Sequence, residues 1–277
     1  MKKLLTLALA SGLSAGLFPP AARAGETEEV RTPSAAEIVD RANRAAYYQG
    51  EDGRARVSME ITDGQGRTRN RVFTILRKNV SDDPEAAGDQ KFYVYFLRPA
   101  DVNRMAFLVW KYVERGRDDD RWLYLPALDL VRRIAGAEKR TSFVGSDFFY
   151  EDVSGRGIEE DTHELDRTTD DFYVVKSVPR DPGSVEFAHY VNWIHRESFI
   201  PIRTEYFDET GEKYREYSAL EVETVDGYPT VTRSSMKNLK SGSETVMSYS
   251  AVAYDIGLPD GIFTERYLRN PPREFLR

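Results

Sequence analysis

The sequence predicts a mainly β chain: one large, strongly curved antiparallel sheet or incomplete barrel, with a helix before it and one short helical insertion near residues 145–155. Three observations predict it. Beyond residue 50 many segments alternate apolar and polar side chains. Turns of hairpin composition separate them, and a middle group of segments is apolar on both faces, so something must cover each side. No internal repeat or interdomain linker interrupts the series, which fits a single domain over residues 25–277.

The N-terminus sets the expected compartment. Lys2 and Lys3 precede an apolar run from Leu4 to Phe18, Pro19 and Pro20 break it, and Ala22-Arg23-Ala24 offers a small-x-small cleavage site. This is the layout of a secretory signal peptide over residues 1–24, cleaved after Ala24, which predicts a mature chain in a bacterial periplasm. The run is too short to span a bilayer, and no cysteine follows it to carry a lipid, so no stable membrane anchor is expected. The 277 residues contain no cysteine, which excludes disulfides and thiol catalysis. Residues 1–24 hold three basic and no acidic side chains, so their removal takes the formal net charge from −7 to −10. An acidic surface disfavours nucleic acid and anionic head groups as electrostatic partners and leaves apolar recognition of a lipid open.

A helix is predicted from Ser34, where Glu37 completes a capping box, to about Gln49-Gly50. Ile38, Val39, Ala42, Ala45 and Ala46 form its apolar stripe. The period then changes to two: Val57, Met59 and Ile61 alternate with Ser58, Glu60 and Thr62, and Gly64-Gln65-Gly66 turns the chain into a second strand. "KFYVYFLRP", "MAFLVWKYV" and the first half of "RWLYLPALDLVRRI" are the doubly apolar strands, and "ERGRDDDR" is a charged hairpin loop. A polar stretch follows from Gly157 to Asp171. Further strands are predicted near 172–179, 186–196, 200–208, 213–225, 229–239 and 244–254, about ten to eleven in all.

No catalytic, cofactor-binding or metal-binding constellation emerges, and no enzyme activity is expected. The nucleophile-elbow, phosphate-loop and zinc-protease motifs are missing. His189 and His195 fall roughly 20 Å apart along one strand, too far for one metal, and all three histidines read as structural. Asp118, Asp119 and Asp120 read as a solvated turn, as do Glu159, Glu160 and Asp161. Asp147, Glu151 and Asp152 have no nucleophile or metal beside them.

What stands out is "RTSFVGSDFFYEDVSGR", residues 140–156, with four aromatics in eight positions. A helical turn over 146–152, capped by Ser146 or Gly145 with Asp147 at its N-terminus, would carry Phe148 and Phe149 across the mouth of the sheet. Plug and lid are equally open on this reading.

The segment also carries a resemblance. "WLYLPALDLVRRIAGAEKRTSFVGSDFFYEDVSG" resembles the signature of the LolA-like outer-membrane lipoprotein-sorting family, matching at Trp122, Tyr124, Pro126, Arg132, Arg133, Ser142, Phe143, Gly145, Ser146, Asp147, Phe148, Tyr150, Glu151 and Asp152. "ADVNRMAFLVW" and "NWIHRESFIPIRTEYFDETG" extend the likeness on either side. The resemblance implies an unclosed antiparallel β-barrel, helices over its opening, and an apolar cavity for a lipid or lipoprotein acyl chain, a sterol-like lipid, a hopanoid or another amphiphile. It also implies a periplasmic carrier working with an RND-type inner-membrane exporter. True lipoprotein carriers latch the lid with an arginine of the barrel, a role the match assigns neither to Arg132 nor to Arg133. The candidate lining is Phe92, Tyr95, Phe107, Trp110, Trp122, Tyr124, Phe143, Phe148, Phe149 and Tyr150. The alternative is a non-catalytic envelope interaction module whose barrel is filled by its own side chains. It would dock through its convex face or its C-terminal "YLRNPPREFLR".

Overall fold

The computed structural model describes residues 32–81 and 87–276, so the predicted signal peptide and its cleavage site lie outside the described residues. Helix α1 (Ala35–Tyr47) starts as the sequence dictates: the Glu37 amide donates to Ser34 Oγ and the Glu37 carboxylate accepts from the Ser34 amide at 2.7 Å. The strands are β1 (Asp52–Thr62), β2 (Thr68–Asn79), β3 (Gln90–Arg98), β4 (Ala106–Lys111), β5 (Asp120–Leu125), β6 (Leu130–Arg133) and β7 (Asp161–Thr168). They continue with β8 (Phe172–Pro179), β9 (His189–His195), β10 (Pro201–Phe207), β11 (Lys213–Val225), β12 (Tyr228–Asn238) and β13 (Ser243–Tyr254). Helices α2 (Tyr150–Ser154) and α3 (Arg266–Arg269) are short.

All thirteen strands form one antiparallel sheet, ordered β6-β5-β4-β3-β2-β1-β13-β12-β11-β10-β9-β8-β7. Two hairpin ladders thus run outward from the β1–β13 seam, where Val57 faces Tyr249 and Met59 faces Met247. The edges β6 and β7 do not pair with each other, so the barrel stays open. Residues 134–160, which link these edges in sequence, must travel from one side of the opening to the other.

β6 and β7 are the two strands that the sequence reading did not separate. Pro126 starts a 3-10 turn and Asp129 takes a left-handed φ of 46°, which splits "RWLYLPALDLVRRI" into β5 and β6. The polar stretch after Gly157 forms β7, which alternates inward Asp161, His163 and Leu165 with outward polar residues. Only one side of an edge strand pairs, so neither needs a strongly apolar pattern.

The doubly apolar strands are covered on both faces. Inside, Phe92, Val94, Phe96, Phe107, Val109 and Leu123 pack with Phe143, Phe148 and Tyr150 of the crossing segment. Outside, Tyr93, Leu108, Trp122 and Tyr124 lie under the C-terminal segment through Leu258, Phe263, Leu268 and Leu276. Tyr93 Oη donates to the Tyr267 carbonyl and Trp110 Nε1 to that of Phe263, both at 2.7 Å. The "YLRNPPREFLR" tail is therefore spent on its own sheet, because its apolar residues match a face that would otherwise be wet.

Candidate functional site

The apolar stripe of α1 tapers along the helix. Ile38, Val39 and Ala42 are buried against Tyr173, Val175, Ile194 and Phe199, and the stripe then shrinks to Ala45 and Ala46. Opposite these small residues, Gly53 and Ala55 of β1 are also small. The space left between helix and sheet is a cavity of about 370 Å³, bounded by β9, β10, β12 and β13 through Asn192, Thr204, Met236 and Val252. That volume falls within the ordinary range of small-molecule sites.

Its wall is unusually rich in tyrosine: Tyr47, Tyr190, Tyr206, Tyr217, Tyr249 and Tyr254. Burial pushes the phenol of Tyr206 up to about 12 and those of Tyr47, Tyr190 and Tyr249 also upward, so the rings stay protonated and remain donors. Tyr190 Oη donates to Asp161 at 2.8 Å, Tyr249 Oη to Met247 Sδ at 3.4 Å, and Tyr254 Oη shares a 3.0 Å bond with Thr230. Tyr217 lies against Ser234.

The crossing segment closes the side of this cavity and is fixed at both ends of its length. Val144 and Gly145 both have left-handed φ, 50° and 80°, so the chain reverses tightly and Ser142 bridges Phe149. Phe143, 1% exposed, enters a ring cluster with Phe73, Phe96, Phe107 and Tyr150 at centroid distances of 5.6–6.2 Å. The helical turn begins later than predicted, at Tyr150, with the Asp152 carboxylate accepting from the Phe149 amide at 2.6 Å. Ser146 instead donates to the Phe143 carbonyl, and Asp147 accepts from Thr245 Oγ1 at 2.7 Å and from Ser243.

An ionic network holds the other side. Glu151 is buried within reach of Arg140 at 2.5 Å, Lys139 at 3.2 Å and Arg156 at 3.4 Å. Burial pushes its carboxyl up, but the three cations outweigh this and hold it at about 2. Arg140 grips Glu186 with two 2.6 Å bonds, and Arg156 grips Asp161 at 2.9 and 3.0 Å. Asp161 and Glu160 are thus structural partners rather than a solvated turn, and Asp119, paired with Arg121 at 2.5 Å, is too. From β11, the buried Arg215 donates to the Asp147 carbonyl at 3.0 Å and to the Asp152 carboxylate. β11 thus anchors the crossing segment from the barrel side.

Of the ten predicted lining residues, Phe148 alone borders the cavity. Phe92, Phe107, Phe143 and Tyr150 fill the inner core, while Tyr95, Trp110, Trp122 and Tyr124 belong to the outer layer under the C-terminal segment. Phe149 lies beneath the guanidinium of Arg215. Both faces of the doubly apolar strands are occupied, and the wall of this cavity comes from α1, β1, β2 and the strands from β9 onward. The strand tyrosines of this wall read as core in the sequence, since they alternate as core residues do, and Tyr47 is the last residue of α1. The taper of α1 to alanine was the available signal. His163, as expected of a structural histidine, is bonded to Ser177 Oγ at 2.8 Å and the Ile158 carbonyl at 2.9 Å.

An open antiparallel sheet with a segment crossing its inner face and a helix over the remaining space defines a LolA-like protein. The chain belongs to the DUF1329 family within that class. A DUF1329 family protein from Desulfovibrio piger is 31% identical with a TM-score of 0.76, over 86% of this chain and 100% of that one. A family model described as uncharacterized-protein-like matches residues 88–270. A structure described as an outer membrane lipoprotein-sorting protein domain, from Vibrio parahaemolyticus, is 26% identical with a TM-score of 0.74, covering 85% of this chain and 98% of its own. A LolA superfamily protein from Nitrosomonas europaea shares the fold at 21% identity and a TM-score of 0.64, over 85% of this chain and 100% of its own. No curated protein matches.

Proposed function

We propose that the chain is a non-enzymatic carrier of the bacterial envelope that holds a lipid, a lipoprotein acyl chain or another amphiphile in the cavity beneath α1. The observation that carries the reading is the cavity itself. An apolar helix stripe that tapers to alanine over Gly53 and Ala55 leaves a half-open cavity of about 370 Å³ with a mainly apolar wall, the form of a small-molecule site. The lipoprotein-sorting description of the Vibrio relative supports it. Each buried methylene contributes about 0.8 kcal/mol, so binding would be firm and only weakly salt-dependent. The carboxylates of Asp147, Glu151 and Asp152 are each committed to holding the crossing segment, which favours a structural over a catalytic role for them. Periplasmic residence after cleavage at Ala24 and partnership with an RND-type exporter belong to this proposal on the strength of the sequence reading. The test is mass spectrometry of organic extracts from the purified chain, followed by lipid uptake from labelled vesicles. Co-purifying lipid and saturable uptake are expected; an empty extract with no uptake would contradict the proposal.

A further inference from the structure

The carrier reading leaves the chemistry of the cargo open, and the cavity wall narrows it. Two of its six tyrosines, Tyr47 and Tyr206, have hydroxyls with no hydrogen-bond partner among the described residues, whereas those of Tyr190, Tyr249 and Tyr254 are bonded and that of Tyr217 has Ser234 beside it. Both rings are held in place. That of Tyr47 lies against Gly155, where an added Cβ would meet it at 2.7 Å, with the Lys111 ammonium 5.2 Å from its centroid. That of Tyr206 is packed by Phe187 and Tyr190, each at 5.5 Å, and by the Arg215 guanidinium at 5.1 Å.

We infer that the cavity takes an amphiphile bearing a neutral oxygen, a hydroxyl or carbonyl, which enters the cavity and hydrogen-bonds Tyr47 and Tyr206. Hydroxyls that face solvent bond to water. A plain hydrocarbon tail would displace that water and offer nothing in return, while an oxygen-bearing cargo replaces the lost bonds. The charged residues of the wall point away from an ionised head group. Arg156 is committed to Asp161, Glu160 and Glu151; Asp152 to Arg215; and Arg77 to Asn79 and the Gln49 and Gly50 carbonyls. Arg54 pairs in register with Leu76, a residue of the outer cluster, so strand alternation sends its side chain to the outer face.

This inference rests on the carrier reading, and the experiment separates the two. A long-chain alcohol and the alkane of equal length are delivered from cyclodextrin to the delipidated full chain, and binding is compared between wild type and the double variant Tyr47→Phe/Tyr206→Phe. The variant should bind the alcohol about tenfold more weakly and the alkane no more weakly than wild type does. Equal losses for both ligands, or no loss for either, would overturn the inference while leaving the carrier reading intact; wild type binding neither ligand would overturn both. A second readout needs no variant. The carbonyl stretch of a long-chain methyl ester bound to wild type should shift to the lower frequency of a hydrogen-bonding solvent, and a frequency matching hydrocarbon solvent would likewise overturn the inference.

Discussion

The guanidinium of Arg215 lies 4.0 Å from the centroid of the Phe149 ring and donates to the carboxylate of Asp152, three residues further along the crossing segment. One side chain of β11 thereby clamps an aromatic ring and the start of α2 together. Removing one partner of a buried pair costs about 3 kcal/mol, much of it from the charge left behind. Arg215→Leu should lower unfolding free energy by that order. Hydrogen exchange should show faster opening of the amides at 147–153 than of those in β3 and β4.

Glu151 sets an acid limit on the same segment. Its carboxyl titrates at about 2 in the folded chain against an ordinary 4.5, so its contribution is complete above about 4.5 and is lost as pH falls towards 2. Glu151→Gln should therefore be less stable than wild type at pH 7, by about 3 kcal/mol, with the gap closing at the acid end. Urea unfolding at a series of pH values checks both the size and the direction.

Phe143 and Phe148 sit five residues apart and should behave differently. Phe143 is locked in the inner ring cluster, so Phe143→Ala should cost about 3–5 kcal/mol while the folded fraction binds cargo as before. Phe148 borders both the main cavity and a void of about 50 Å³ beside Phe73 and Phe143. Phe148→Ala should join the two spaces and shift preference towards longer or bulkier cargo. Thermal melts paired with a chain-length series measure both.

Gly155 has a φ of 78°, and a Cβ there would press into the Tyr47 ring. Gly155→Ala combines backbone strain of about 1 kcal/mol or more with a displaced cavity wall. Reduced melting temperature and weaker cargo binding should appear together.

The fold was legible where the signals are local. The Ser34–Glu37 capping box, the Gly64–Gly66 turn and the strands from 172 onward needed only neighbouring residues, and the open LolA-like sheet followed from the motif at 122–155. The two strands that escaped were both edges, where half the backbone is unpaired and the pattern weakens. The site was less legible because it depends on distant pairing. Arg215 meets Asp152 across 63 residues of sequence, and Asp161 reads as a solvated acid until Arg156 and Tyr190 close on it. The wall tyrosines of the strands share the alternation of core residues, and only the third dimension shows that the alanines of α1 leave a space over them.

On the carrier reading, cargo occupies the space beneath α1 and not the doubly apolar strands. Ala45→Trp fills that space from the helix side, whereas Trp122→Phe alters only the outer layer. The deciding measurement is a titration of a fluorescently labelled long-chain ester into wild type and both variants. Wild type and Trp122→Phe should bind alike and Ala45→Trp at least about tenfold more weakly; an Ala45→Trp chain that is folded and binds as tightly as wild type would contradict that reading.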